Sequence, residues 1–166
     1  MNKQFGINAL PDNTLTQIFL RKVEKQDLSA IVTIENQVQI TPWSYSVLEL
    51  SILTDEFYWV AVDQDQNKVV GFLICAIYSP DADLTNFGVA CEYQNQGIGS
   101  KLLNNLWLYL KSKQIEKVTL EVRVSNSGAI KLYQRNNFVV VGKRKKYYRK
   151  NLDNEYEDCL IMTKYF

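Results

Sequence analysis

Residues Ala82 to Val124 change hydrophobic period twice, and that change most narrows what the chain can fold into. Ala82 to Val89 is a short β-rich run. After a turn holding Gly97 and Gly99, the residues Ile98, Leu102, Leu103, Leu106, Trp107 and Leu110 recur at the three- and four-residue spacing of one helix face. From Val118 to Val124 the apolar residues fall on alternate positions, the period of a half-buried strand. A strand, a helix and a strand in succession predict a crossover that lays two strands parallel.

The flanking segments predict antiparallel additions to that unit. Phe57 to Val62 and Val69 to Tyr78 are two β-rich runs around the polar turn Asp63-Gln64-Asp65-Gln66-Asn67, a hairpin pattern that Ala82 to Val89 extends into a meander. Upstream, Ile18, Leu20 and Val23 suggest a first strand, Lys25 to Val38 has helical spacing at Leu28, Ile31 and Ile34, and Ser46 to Leu53 reads as a second helix capped by Ser44 or Ser46. Downstream come a helix from about Ser127 to Arg135 and two strands, around Phe138 to Tyr148 and Asp158 to Lys164. The predicted order is β-α-α-β-β-β-α-β-α-β-β. It implies a mixed, mostly antiparallel sheet flanked by about four helices, an α/β (α+β) architecture. Residues 1–16 have no sustained period and read as an N-terminal extension, so 17–166 is expected to be a single domain.

Several function classes drop out on composition. With 19 Lys plus Arg against 18 Asp plus Glu, the formal charge is +1, which supplies no global field toward nucleic acid or an anionic membrane. No histidine is present, so Ser-His-Asp and Cys-His catalysis and most histidine-ligated zinc sites are excluded. Acid-base work falls to Glu, Asp, Tyr, Lys or Cys, and no metal is expected. The three cysteines, Cys75, Cys91 and Cys159, are widely spaced and odd in number, which fits reduced thiols. With no apolar leader at Met1 to Asn8, a cytoplasmic protein without membrane attachment is expected.

Chemistry concentrates at the glycine turn. The first amides of a helix lack internal partners, and the aligned peptide dipoles place partial positive charge there, so a phosphate is stabilised at that end. Gly97 and Gly99 allow close backbone approach. A third Rossmann glycine and the P-loop Gly-Lys-Ser/Thr are both missing, and two glycines alone are also an ordinary tight turn.

The run Asn86-Phe87-Gly88-Val89-Ala90-Cys91-Glu92-Tyr93-Gln94-Asn95-Gln96-Gly97-Ile98-Gly99 closely resembles the acetyl-CoA-binding motif of the GNAT N-acetyltransferases, whose core is Gln/Arg-x-x-Gly-x-Gly/Ala. Leu120-Glu121-Val122-Arg123-Val124-Ser125-Asn126-Ser127-Gly128-Ala129-Ile130-Lys131-Leu132-Tyr133 is similar to the matching stretch of the bacterial ribosomal-protein-alanine N-acetyltransferases of that family. Pro42-Trp43-Ser44, Arg144 with Tyr147-Tyr148, and Glu157 to Met162 extend the similarity, which runs from about Ile18 to Met162.

The resemblance implies the GNAT acyl-CoA N-acyltransferase fold and an enzyme that moves the acetyl group of acetyl-CoA, as co-substrate, directly to an amine. It places the pantetheine arm along Phe87, Gly88 and Val89. The pyrophosphate would sit on the turn formed by Gln94, Asn95, Gln96, Gly97, Ile98, Gly99 and Ser100, with Asn126 and Tyr133 as further cofactor contacts. Family members commonly have Arg at the position of Asn95, a contact that Lys101 could partly replace. The family's general base matches Glu121, acting directly or through a water, and its general acid matches Tyr133. Without the resemblance, Glu121 reads as a solvated strand residue paired with a neighbour such as Arg123, and Tyr133 as a buried tyrosine. The family's glycine after this helix is Asn137 here.

On the acceptor side, the resemblance makes Trp43, Tyr147 and Tyr148 walls of a slot for a protein N-terminus, with the N-terminal alanine of a ribosomal protein as leading acceptor. A small amine or lysine side chain is the alternative acceptor, and a non-catalytic acyl-CoA-binding module the alternative of another class. The basic run Lys143 to Lys150 reads as protection of a strand edge, and direct nucleic-acid binding is not expected.

Overall fold

A computed structural model describes residues 17–54, 57–150 and 154–166. The expected extension at 1–16 lies outside the described residues. Strand β1 (Ile18–Lys22) leads through a 3₁₀ turn at Lys25–Asp27 into α1 (Leu28–Val38), so the predicted helix starts with one tighter turn. Asp27 fixes that entry: its carboxylate accepts the Glu24 amide at 2.8 Å and both Arg21 guanidinium nitrogens, at 2.6 and 2.8 Å. Helix α2 (Tyr45–Thr54) begins after Ser44, whose Oγ accepts the Val47 amide at 3.4 Å in the capping role read from the sequence.

Strands β2 (Phe57–Asp63), β3 (Lys68–Tyr78) and β4 (Asp81–Val89) form the expected antiparallel meander. Its first turn closes where Asp63 Oδ1 accepts the amides of Asp65 and Gln66, and where Asn67 takes a left-handed φ of 48°. Then follow α3 (Ile98–Ser112), β5 (Lys117–Arg123), α4 (Ser127–Arg135), β6 (Val139–Arg149) and β7 (Tyr156–Tyr165). Seven strands form one sheet in the order β1-β2-β3-β4-β5-β7-β6. Only the pairing of β4 with β5 is parallel, as the crossover requires.

Helices lie on both faces. A side chain at Gly88 would meet Val38 and Ile34 of α1 at 3.2 and 3.3 Å, while one at the adjacent-strand Gly71 would meet Leu102 of α3 at 3.4 Å. Phe72, the strand partner of Gly88, shares the α1 side, and its neighbour Gly71 turns to the other side by the alternation of a strand. The α3 stripe is completely or nearly buried at Ile98, Leu102, Leu103, Leu106 and Leu110, each worth roughly 1.5–3 kcal/mol as an upper estimate. Strand β6 is an outer edge of the sheet, and its Lys143, Lys145 and Lys146 occupy the edge-protecting position expected for that run.

Candidate functional site

The site arises where the parallel pair comes apart. β4 and β5 are in register from Asp81 with Lys117 to Leu84 with Leu120, and both strands continue beyond the last pair. Between the separated ends, the start of α3 and the face of α4 lies a cavity of about 980 Å³. Its lining includes Phe87, Gly88, Val89, Gln94, Asn95, Gly97, Ile98, Gly99, Ser100, Asn126 and Tyr133, together with Glu121, Trp43 and Tyr148. Most of the candidate residues from the sequence thus surround one space.

At the α3 end, the first helical bond runs from the Lys101 amide to the Gly97 carbonyl at 3.0 Å, so the amides of Ile98, Gly99 and Ser100 precede the helical ladder. Gly97 has φ +82°, a left-handed conformation that favours glycine, and no atom lies within 4 Å of where its β-carbon would be. Gly99 is needed for a different reason. A β-carbon there would lie 3.1 Å from both Leu132 and Phe87. Asn95 also has positive φ, at 60°, a conformation asparagine tolerates far better than most residues. This end fits an extended anion: it is open, cationic in its dipole and free of β-carbon obstruction.

Two side chains near the turn depart from the expected arrangement. Gln96 is not among the lining residues, and its Nε2 donates back to the Glu92 carbonyl at 3.0 Å. Lys101 reaches the Ile18 carbonyl on β1 instead of the turn. Lys131 and Arg135, one helical turn apart on α4, line the cavity and bring positive charge to it. Along β4, the Phe87 amide donates to Asn86 Oδ1 at 2.8 Å and the Val89 carbonyl accepts Gln94 Nε2 at 3.0 Å, so an extended ligand on this strand competes with two side chains. Beneath the turn, Tyr93 donates to Asp63 at 2.7 Å; that bond, then burial, pushes the Tyr93 hydroxyl up to about 12 and fixes the turn's base to β2.

Tyr133 points into the core side of α4, between Phe87 and Phe138 with ring centroids 6.4 and 5.6 Å away. Burial raises its hydroxyl above the ordinary tyrosine range, which keeps it protonated. Asn126 caps the same helix by accepting the Ala129 amide at 3.1 Å, so the cap role and a place in the cavity coexist. Asn137 has φ 66°, taking the left-handed position of the expected glycine.

Glu121 sits on the polar face of β5 with its side chain 31% exposed. Its partner is not Arg123, the neighbour expected from the strand pattern. Arg144 of β6 lies 2.9 Å from Glu121 Oε1, and the Tyr147 hydroxyl also bonds to Glu121, which holds that phenol above its usual value. Tyr147 is not among the lining residues and meets the site through this carboxylate and through the ring of Tyr148, 5.0 Å away; Tyr148 lines the cavity itself.

Two buried polar residues of the site were not singled out from the sequence. Arg123 is 8% exposed and pairs with Glu157 of β7 at 2.8 Å. Burial pushes the Glu157 carboxyl upward, but hydrogen bonds from Ser125 and Arg123 outweigh it and leave the carboxyl below its ordinary value. Glu35 of α1 is 1% exposed; its Oε1 accepts the Trp43 amide at 2.9 Å and Asn86 Nδ2 at 3.0 Å, whereas Oε2 has no hydrogen-bond partner among the described residues. Burial raises its carboxyl against those two bonds. The only sequence signal for Glu35 was a carboxylate one position after Ile34 in the buried stripe of a helix, a position next to the core face.

Among the described residues, no three or more Cys, Asp or Glu side chains are grouped so as to hold a metal ion, and no helix is long and apolar enough to cross a membrane. Cys91 is exposed, while Cys75 and Cys159 are buried.

Residues 20–138 match the model of the acetyltransferase (GNAT) family. The [ribosomal protein bS18]-alanine N-acetyltransferase of Haemophilus influenzae is 33% identical over 146 residues, covering 88% of this chain and 97% of the relative. The crystal structure of the ribosomal-protein-S18-alanine N-acetyltransferase from Escherichia coli superimposes with a TM-score of 0.79 at 30% identity, over 89% of this chain and 92% of that one. Arabidopsis thaliana NAA60 in complex with acetyl-CoA shares the fold, with a TM-score of 0.79 at 20% identity over 90% of this chain and all of the other.

Proposed function

Because this chain belongs to the GNAT family of acetyltransferases and is an N-acetyltransferase, we propose that it transfers the acetyl group of acetyl-CoA directly to the N-terminal α-amine of a protein, with the N-terminal alanine of a ribosomal protein as leading acceptor. One observation carries the reading. The carboxylate Glu121 and the phenol Tyr133 border the same cavity, and the open start of α3 borders it too. A diphosphate held by the amides of Ile98 to Ser100, with Lys131 and Arg135 beside it, directs the attached thioester along β4 toward that pair. The acceptor named for the H. influenzae relative, an alanine of ribosomal protein bS18, supports the choice of a protein N-terminus.

The residues of this chain divide the proton traffic. An acceptor amine is largely an ammonium near neutral pH and has no lone pair to attack with. Glu121 takes a proton from it, directly or through a water. The freed nitrogen attacks the thioester carbonyl carbon, a C–N bond forms, and the C–S bond breaks with its electron pair leaving on sulfur. Tyr133, held neutral by burial, gives its proton to that sulfur. The nitrogen loses a second proton as the amide forms, which restores Tyr133, so the sum is one amide, one thiol and one proton released to solvent. Trp43 and Tyr148, which both line the cavity, orient the peptide.

Incubation of the protein with acetyl-CoA and a library of short peptides, followed by mass spectrometry, tests the acceptor. Acetylation of the α-amine of peptides starting with Ala is expected. Acetylation confined to lysine side chains or free small amines would overturn the N-terminal reading.

A further inference from the structure

We propose that Arg123 is a positioning residue that clasps the loop between α1 and α2 to the sheet and so sets the width of the slot for the acceptor; the proposal rests on the acceptor reading above. Without the family resemblance, Arg123 reads as one neighbour that could pair with Glu121, two residues away on the same strand. Its guanidinium is instead spread over three other elements, β6, β7 and the α1–α2 loop. Nη1 donates to Glu157 Oε1 of β7 at 2.8 Å and to the Arg149 carbonyl at the end of β6 at 3.0 Å. Nη2 donates to Thr41 Oγ1, in the α1–α2 loop, at 3.1 Å. The plane lies over the Tyr148 ring with 4.4 Å to its centroid. Glu157 completes the set by accepting the Ser125 amide, at the approach to α4, through its other oxygen at 3.2 Å.

The two walls of the acceptor slot are therefore joined through one group. Trp43, on the loop of residues 39–44, and Tyr148, on β6, both line the cavity. On its own side the loop is held by the Trp43 amide on Glu35 and by Gln39 on Asn86, at 2.9 and 3.4 Å. Thr41 is the point where it is tied to Arg123 of β5, whose guanidinium also lies on the Tyr148 ring. Only a planar, fixed fork of donors serves three directions and presents a face to a ring at once; a lysine ammonium could keep the Glu157 pair but not the rest. Burial of the Arg123–Glu157 pair makes the clasp rigid, because neither charge has water as an alternative partner.

Substitution of Arg123 itself would strand Glu157 without its buried cation and risks unfolding, so the decisive variant lies at the other end of the bond. Thr41 is exposed, and T41V keeps its shape while removing the oxygen; T41S keeps the oxygen. Two readouts apply to each: peptide acceptor and acetyl-CoA kinetics, and backbone hydrogen exchange of residues 39–44. T41V should raise acceptor KM about tenfold and speed exchange in the loop, with acetyl-CoA KM and thermal midpoint unchanged, while T41S behaves as the parent. Parent-like acceptor KM in T41V, or a rise matched by acetyl-CoA KM or by a fall in the midpoint, would overturn the proposal. Absence of thiol release by the parent with every N-terminal peptide would overturn the acceptor reading and the proposal with it, which distinguishes that failure from release with unaltered T41V kinetics.

Discussion

Arg144 Nη1 lies 2.9 Å from Glu121 Oε1, so the carboxylate assigned as base already has a cationic partner. The pair is half exposed and of modest strength, and an incoming ammonium presents the same charge to the same oxygen. Tyr147, whose ring Arg144 covers at 5.0 Å, also bonds to Glu121 and remains as a second hold on the carboxylate when Arg144 is replaced. Arg144→Gln is therefore expected to lower acceptor KM about two- to fivefold at low salt, and to flatten the dependence of acceptor KM on salt. Steady-state kinetics at low and high ionic strength check this. A raised acceptor KM would mean that Arg144 orients the base and does not compete for it.

Gly97 separates phosphate binding from folding more cleanly than Gly99. At Gly97 a methyl group meets no atom within 4 Å, so the cost to the fold is the left-handed φ of +82°, about 1 kcal/mol. Gly97→Val places a branched side chain at the open helix end and is expected to weaken acetyl-CoA binding by more than tenfold while stability falls modestly. Gly99→Val would instead collide with Leu132 and Phe87 and lower both. Calorimetric titration with acetyl-CoA beside a thermal melt distinguishes them; unchanged affinity in Gly97→Val would remove the turn from the cofactor site.

Glu35 gives a pH signature of stability. Burial raises its carboxyl above the ordinary 4.5, so the native state holds this proton more tightly than the unfolded chain does. The stabilisation is fully present below about pH 4.5 and is lost as pH rises through the raised value. Glu35→Gln, which retains an oxygen for Trp43 and Asn86, should thus gain in melting temperature relative to the parent as pH climbs from 4.5 toward 8, by about 2–4 °C for each kcal/mol. Thermal melts across that range test it. A difference between the two proteins that stays flat with pH would contradict the assigned shift.

Within-element geometry was legible because periodicity reports which residues share a face. The α3 stripe and the Ser44 cap follow from spacing and backbone preference, and the buried Tyr133 from its helical position. Partners between elements were not legible. Insertion of β7 between β5 and β6 decides that Arg123 meets Glu157 and that Arg144 meets Glu121, and spacing along one strand holds no information on that order. The Lys101 partner was hidden for the same reason: its place in the first turn of α3 is clear from sequence, but the Ile18 carbonyl it bonds belongs to a strand about 80 residues away. Glu35 stayed hidden because a single carboxylate beside a helix's buried face looks like surface until Trp43 and Asn86 close over it.

The central claim is that the start of α3 directs a thioester to the gap between Glu121 and Tyr133. Single-turnover acetyl transfer by Glu121→Gln, with acetyl-CoA affinity measured on the same sample, tests it most directly. The expected result is parent-like acetyl-CoA affinity with acetyl transfer slowed by about 10²–10⁴-fold. Transfer at the parent rate would contradict the account.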